Sequence, residues 1–191
     1  MTTLLLIRHA TTNAVGKHLS GRSPGVYLNN EGLDQAQKLA KRLSGLPLAA
    51  IYSSPLERAI QTAEPLADIL QLSPITNEDF LELNFGGWTN ASFTELQSDP
   101  QFQLFNSFRS ITRIPGGESM LEAQVRVING IQKLCLAHQQ QTVAVVSHSD
   151  LIKAGIAYYA GIHLDMFQRL EISPASVSII QIFEETARIL V

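Results

Sequence analysis

The chain alternates short, nearly continuous apolar runs with longer segments of helical spacing. Residues 3–7 (TLLLI), 49–52 and 142–146 (TVAVV) lack the polar alternation of a half-solvated strand and read as strands buried on both faces. Residues 72–76 add a shorter strand. From Glu31 onward, Leu33, Ala36, Leu39, Ala40 and Leu43 share one helical face, and Gly45 and Pro47 close that helix. Ser54-Pro55-Leu56-Glu57 predicts the next helix start, with Ser54 as cap, Pro55 at the first helical position and Glu57 completing a capping box. That helix is expected to reach about Leu70, with Pro65 kinking or ending it. Residues 119–138 and 150–159 return to helical spacing. Residues 176–183 and 187–191 read as two strands around a short acidic turn, an antiparallel hairpin at a sheet edge.

The segments between are rich in turn residues. Residues 11–29 read as a loop, and so do 78–90 around Phe85-Gly86-Gly87-Trp88. Residues 89–117 hold only helical fragments, one starting at Ser92 with Glu95 three residues on. The order of elements predicts an α/β fold: a three-layer α/β/α sandwich with a mostly parallel sheet and an antiparallel edge strand. Residues 1–191 are expected to form a single domain, with an insertion or lid at about 80–117 over the sheet's edge. Phe102, Phe105 and Phe108 have the spacing of such a lid's inner face.

Composition narrows the functional classes. With 191 residues, 45% hydrophobic and 16% charged, the chain can bury a full core and is not a disordered segment. Fourteen Lys and Arg against seventeen Asp and Glu give a net charge of −3, which excludes a globally basic nucleic-acid binder but not a local cationic site. The one cysteine, Cys135, excludes an internal disulfide framework and a cysteine-built metal cluster, and its apolar neighbours predict a buried, inert thiol. No apolar run approaches a membrane span and no basic leader precedes residues 4–7, so no membrane partner and a cytoplasmic location are expected. Residues 187–191 are either an exposed edge open to a homodimer or a covered one.

Ligands of open α/β sheets bind beyond the carboxyl ends of the strands. Three predicted strands deliver polar residues there: Arg8-His9, Ser53-Ser54 with Arg58 one turn on, and Ser147-His148-Ser149. Each alone reads as a surface or capping feature; their recurrence at equivalent strand ends points to one crevice holding two arginines and two histidines. Guanidinium matches phosphate oxygens, and imidazole is a nucleophile and proton carrier near neutral pH. The set suits phosphoryl transfer, which also needs an acid for the departing alkoxide.

These residues resemble the histidine phosphatase superfamily, also called the phosphoglycerate mutase-like family. The resemblance rests on Arg8-His9-Ala10-Thr11-Thr12, Ser20-Gly21, the stretch from Leu28 to Ala36, the block from Ser53 to Ala63, Glu82 with Phe85 and Gly86, Gly116-Gly117-Glu118-Ser119, and Val146-Ser147-His148-Ser149. It implies that His9 is a nucleophile forming a phosphohistidine. It also implies that Arg8, Arg58 and His148 clamp the phosphoryl group, with Ser20 and Gly21 beside it, and that Glu82 is the proton donor and later the base for water. Glu82 comes from the resemblance alone, since a carboxylate among Glu78 and Asp79 reads otherwise as a solvated loop charge.

Three departures concern pocket shape. Ala10 replaces the usual Gly and requires a negative φ or room for its Cβ. Ser149 replaces a second Gly and either contacts the anion or caps the next helix. Val15 stands where relatives carry Asn, so that phosphate contact is missing or comes from Asn13. The expectation is a phosphomonoester hydrolase acting on a small phosphorylated metabolite without cofactor or metal. The alternatives are phosphoglycerate-mutase-type phosphotransfer and non-catalytic phosphate-ligand binding. Mutases of this kind carry extra cations in a longer insertion, whereas Arg109 and Arg113 are the only basic residues here and read equally well as surface charges. A metal site from His9, His148, Asp150 and Glu82 is opposed by the two arginines.

Overall fold

The computed structural model describes residues 1–190. A six-stranded sheet of order β3-β2-β4-β1-β5-β6 forms its centre. β1 (Thr2–Arg8), β4 (Thr142–Ser147), β2 (Leu48–Ser53) and β3 (Ile75–Thr76) pair in parallel. β5 (Val177–Ile182) runs antiparallel to β1, and β6 (Ala187–Leu190) antiparallel to β5. The expected C-terminal hairpin therefore exists at one sheet edge, and Val191 lies outside the described residues.

The apolar runs lack alternation because both faces of the sheet are covered. Leu5 and Ile7 of β1, Ile51 of β2 and Ala144 and Val146 of β4 face one cluster. There they meet Leu39, Ala40 and Leu43 of α1 (Asn30–Leu43) and Ala59, Ala63, Leu66 and Ala67 of α2 (Glu57–Leu70). Leu4, Leu6, Val143 and Val145 point the other way, toward Val127, Ile131 and Leu134 of α5 (Met120–Ala137) and Leu151 and Ile152 of α6 (Ser149–Ala160). Two helical layers thus sandwich the sheet, as the sequence predicts.

Several local expectations change in detail. Leu33 lies on α1 but is exposed, and the buried face is Gly32, Ala36, Leu39, Ala40 and Leu43. α2 starts at Glu57, three residues after Ser54, with Leu56 at its cap position and no capping side chain; it then runs through Pro65 to Leu70. Pro65 removes one intrahelical bond, which the long helix absorbs. Cys135 is half-buried rather than buried, with its thiol pushed up by burial.

Residues 80–117 include α3 (Phe93–Gln97) and α4 (Pro100–Ser107). The capping box at Ser92 and Glu95 starts α3 as the sequence predicts, and a second one at Ser119 and Glu122 starts α5. Phe80, Leu83, Trp88, Phe105 and Ile114 join the α5–α6 cluster, so this segment contributes to that core layer. Phe105 is fully buried and Phe102 packs edge-on against Trp88, but Phe108 is exposed because α4 ends at Ser107.

Candidate active site

Strand register sets the site. Arg8 of β1 pairs with Ser147 of β4, and Ser53 of β2 with Val146, so the three strands end at one level. The chain leaves these ends still bonded to β4: His9 N–H donates to Ser147 O at 2.9 Å, and Ser54 N–H to Val146 O at 2.9 Å. His9, Arg58 and His148 are therefore buried side by side, with only Arg8 left half-buried. Beyond them opens a cavity of about 210 Å³, lined by Arg8, His9, Arg58, Glu82, Ser20, Gly21 and Ser149 among others.

His9 Nδ1 lies 2.8 Å from Ala10 O. A carbonyl only accepts, so Nδ1 carries the proton and Nε2 keeps its lone pair. Burial, then the charge of Arg58, pushes the His9 pKa down to about 3, so the ring is neutral at physiological pH. Ala10 is buried, is not among the positive-φ residues, and donates its N–H to Thr62 Oγ1 at 2.9 Å; the position accepts its Cβ.

Arg58 Nη2 donates to Gly21 O at 2.8 Å and contacts His148 Nδ1 at 3.3 Å, while its buried Nη1 has no partner among the described residues. Arg8 Nη1 donates to Ile172 O at 2.6 Å, and its buried Nε is also unpartnered. Burial lowers both arginine pKa values, and the charge of Glu82 opposes that shift. Unpaired buried donors on fixed guanidiniums are costly unless an anion takes them up.

His148 sits behind the cavity wall. Its Nε2 bonds Ser54 Oγ at 2.8 Å, and Glu82 Oε2 lies 3.5 Å from Nδ1. Burial, then Arg58, holds its pKa well below the ordinary imidazole value. Ser54, expected as a helix cap, is instead this histidine's partner, a tertiary bond that a local capping pattern cannot reveal.

Glu82 follows the 3-10 turn Glu78–Phe80, which Ser147 Oγ holds by donating to Phe80 O at 2.8 Å. Its Oε1 accepts from Leu83 N–H at 2.8 Å. Burial, then the charge of Asp150, pushes its pKa up to about 7. A carboxyl group that still carries its proton near neutrality therefore faces a neutral imidazole and two cations.

Asn13 is not brought to the cavity. It is exposed and accepts from Asn29 Nδ2, while Val15 lines the wall. Ser149 lines the cavity as the first residue of α6 and makes no capping bond, since His148 holds the cap position. Phe85, part of the motif that carries the resemblance, and Asp150, weighed above as a metal ligand, also line the cavity, as does Phe93, which nothing in its local sequence marks for it. Arg109, readable as a surface charge, is only 4% exposed. It lies between the rings of Phe105 and Phe167, and its Nη1 is 3.3 Å from Asp150 Oδ2. Arg113 is exposed and paired with Glu122.

Among the described residues, no three His, Cys, Asp or Glu side chains are grouped to hold a metal ion. Among the same described residues, no helix is long and apolar enough to cross a membrane.

A family model described as histidine phosphatase superfamily, branch 1, matches residues 4–191. A bifunctional protein of Mycobacterium tuberculosis is 35% identical over 191 residues, covering 97% of this chain and 52% of that protein. The chain thus spans about half the length of this and other curated relatives it matches. Phosphoserine phosphatase 1 of Hydrogenobacter thermophilus is 32% identical over 188 residues, covering 96% of this chain and 88% of that one. The solved structure of Bacillus stearothermophilus YhfR superposes with a TM-score of 0.92 at 31% identity, covering 100% of this chain and 96% of the other.

Proposed function

Because the chain belongs to the histidine phosphatase superfamily, we propose that it hydrolyses phosphomonoesters of a small metabolite through a phosphohistidine at His9. The observation that carries this reading is the pairing of a buried neutral imidazole, its Nδ1 tied to Ala10 O, with a proton-bearing Glu82 in one cavity that also holds two arginines.

In this reading the substrate's phosphoryl oxygens take up the unpartnered donors of Arg8 and Arg58, with Ser20, Gly21 and Ser149 forming the rest of the wall. The lone pair of His9 Nε2 forms the N–P bond as the P–O bond to the leaving group breaks. Glu82 gives its proton to the departing oxygen, and the imidazolium formed stays hydrogen-bonded through Nδ1–H to Ala10 O. Water then attacks phosphorus, Glu82 takes the water's proton, and the N–P bond breaks. The sum is ester plus water to alcohol plus phosphate. His148 fixes Arg58 and faces Glu82 rather than lining the cavity.

Hydrolysis is favoured over mutase-type transfer by the fate of the two arginines of residues 80–117. Arg109 is committed to Asp150 and Arg113 to Glu122, and neither lines the cavity to receive a substrate carboxylate. The relative named phosphoserine phosphatase supports hydrolysis as the reaction class. The test is hydrolysis of p-nitrophenyl phosphate with no added metal. Turnover that survives chelator and is inhibited by vanadate supports the reading; turnover lost in chelator and restored only by a divalent ion overturns it.

A further inference from the structure

The Gly116-Gly117-Glu118-Ser119 motif plays no part in the steps above, yet Glu118 is the centre of a charged cluster beneath the Glu82 segment. Its Oε2 accepts from Arg22 Nη2 at 2.8 Å, from Arg126 Nη2 at 3.1 Å and from Asn84 N–H at 2.8 Å. Its Oε1 accepts from Arg126 Nε at 3.2 Å, and its own N–H donates to Asn84 O at 3.0 Å.

Residues 81–85 form no regular secondary structure, so their backbone groups need other partners. The two arginines on Glu118 supply them. Arg126 Nη1 reaches Asp79 O at 3.0 Å and Leu81 O at 2.8 Å, and Arg22 Nε donates to Glu82 O at 2.7 Å. Arg22 also follows Gly21, whose carbonyl holds Arg58. One carboxylate thus fixes two guanidiniums, and those fix the backbone on which Glu82 is mounted.

We propose that Glu118 is a positioning residue for the proton donor, acting through Arg22 and Arg126 to hold the backbone at 79–84 so that Glu82 faces the cavity. The proposal rests on the role given to Glu82 above. Removing the carboxylate leaves two partly buried cations facing one another and frees Asn84 N–H, so the segment loses its attachment from both sides.

The experiment compares Glu118→Ala and Glu118→Gln with wild type on phenyl phosphate, whose leaving group needs protonation, and on p-nitrophenyl phosphate, whose leaving group needs it less. For Glu118→Ala, kcat/KM is expected to fall roughly 50-fold on phenyl phosphate and at most about threefold on p-nitrophenyl phosphate, with vanadate inhibition unchanged. Glu118→Gln, which keeps one acceptor oxygen, should recover part of the loss. Equal slowing of both substrates with weakened vanadate inhibition means a general structural role and overturns the proposal, as does no slowing. Should Glu118→Ala fail to fold, Arg22→Ala removes one arm of the bracket and is read by the same ratio. Hydrogen exchange at the Asn84 amide reads the bracket without catalysis. If wild type hydrolyses neither substrate, the proposed function fails on its own. The bracket is then upheld by faster Asn84 exchange in Glu118→Gln and overturned by unchanged exchange.

Discussion

The rings of His9 and His148 lie with centroids 5.2 Å apart, both buried and both held below the ordinary imidazole pKa. Two imidazolium ions at that spacing, next to Arg8 and Arg58, would repel one another and the arginines. The neutral pair leaves the guanidiniums as the cations and keeps the nucleophile's lone pair available.

The acid in this account is Glu82, and its state sets the pH profile. Its pKa of about 7 means that it is protonated below neutrality and ionised above it. As an acid it must be protonated, so kcat/KM on phenyl phosphate should fall as pH rises through about 7. No loss is expected between pH 7 and 5, because His9 stays neutral down to about 3. Glu82→Gln should remove the alkaline limb and slow phenyl phosphate by about a hundredfold, with less effect on p-nitrophenyl phosphate. Profiles of both substrates check this, and equal slowing refutes the acid role.

Stability should show the same groups with opposite signs. His9 has a lowered pKa, so its contribution is full above the unfolded value of about 6.5 and is lost as pH falls toward about 3, and His148, held well below the ordinary imidazole value, acts in the same direction. Glu82 has a raised pKa, so the folded state holds its proton more tightly, and stability is lost as pH rises from about 4.5 to about 7. Glu82→Gln should therefore be more stable than wild type at pH 8, by on the order of 2–3 kcal/mol, and gain little at pH 4. Urea denaturation at the two pH values measures the difference.

Arg58 has a buried Nη1 with no partner among the described residues and an Nη2 committed to Gly21 O. Arg58→Lys keeps the charge but cannot serve both directions. Vanadate inhibition should weaken by roughly tenfold or more, with kcat/KM falling in parallel. Unchanged inhibition would remove Arg58 from the phosphate clamp.

The parts of the site legible in the sequence are those delivered by strands. Arg8-His9, Ser53-Ser54 and Ser147-His148 each follow an apolar run, and parallel pairing in register puts them at one level. Glu82 is legible only through family resemblance, because the burial that raises its pKa and keeps its proton near neutrality is encoded by no local pattern. Ser54 has a cap's local pattern, but His148 claims its hydroxyl and the helix begins three residues later. Arg109 reads equally well as a surface charge in the sequence, because its aromatic neighbour Phe167 is distant in sequence and packs against it only in the fold. Asn13 failed for a similar reason: a turn after Thr12 points it to Asn29 and solvent.

Backbone packing around the Glu82 segment makes a separate prediction. A Cβ at Gly86 would come within 2.2 Å of Pro115 O, at a φ of +46°. Gly86→Ala should therefore cost roughly 2–4 kcal/mol and lower activity by shifting the 82–86 backbone. Gly45, where a Cβ meets nothing within 4 Å, is the control, and Gly45→Ala should be close to neutral. Thermal denaturation of the two variants makes the comparison.

The central claim is a covalent bond between His9 Nε2 and phosphorus. The most direct measurement is rapid acid-free quenching of enzyme during turnover, followed by mass spectrometry of the His9 peptide. The account predicts an acid-labile phosphoryl group on His9 in wild type, and neither label nor turnover in His9→Ala. Turnover retained in His9→Ala, or a phosphoryl group trapped on another residue, would contradict it.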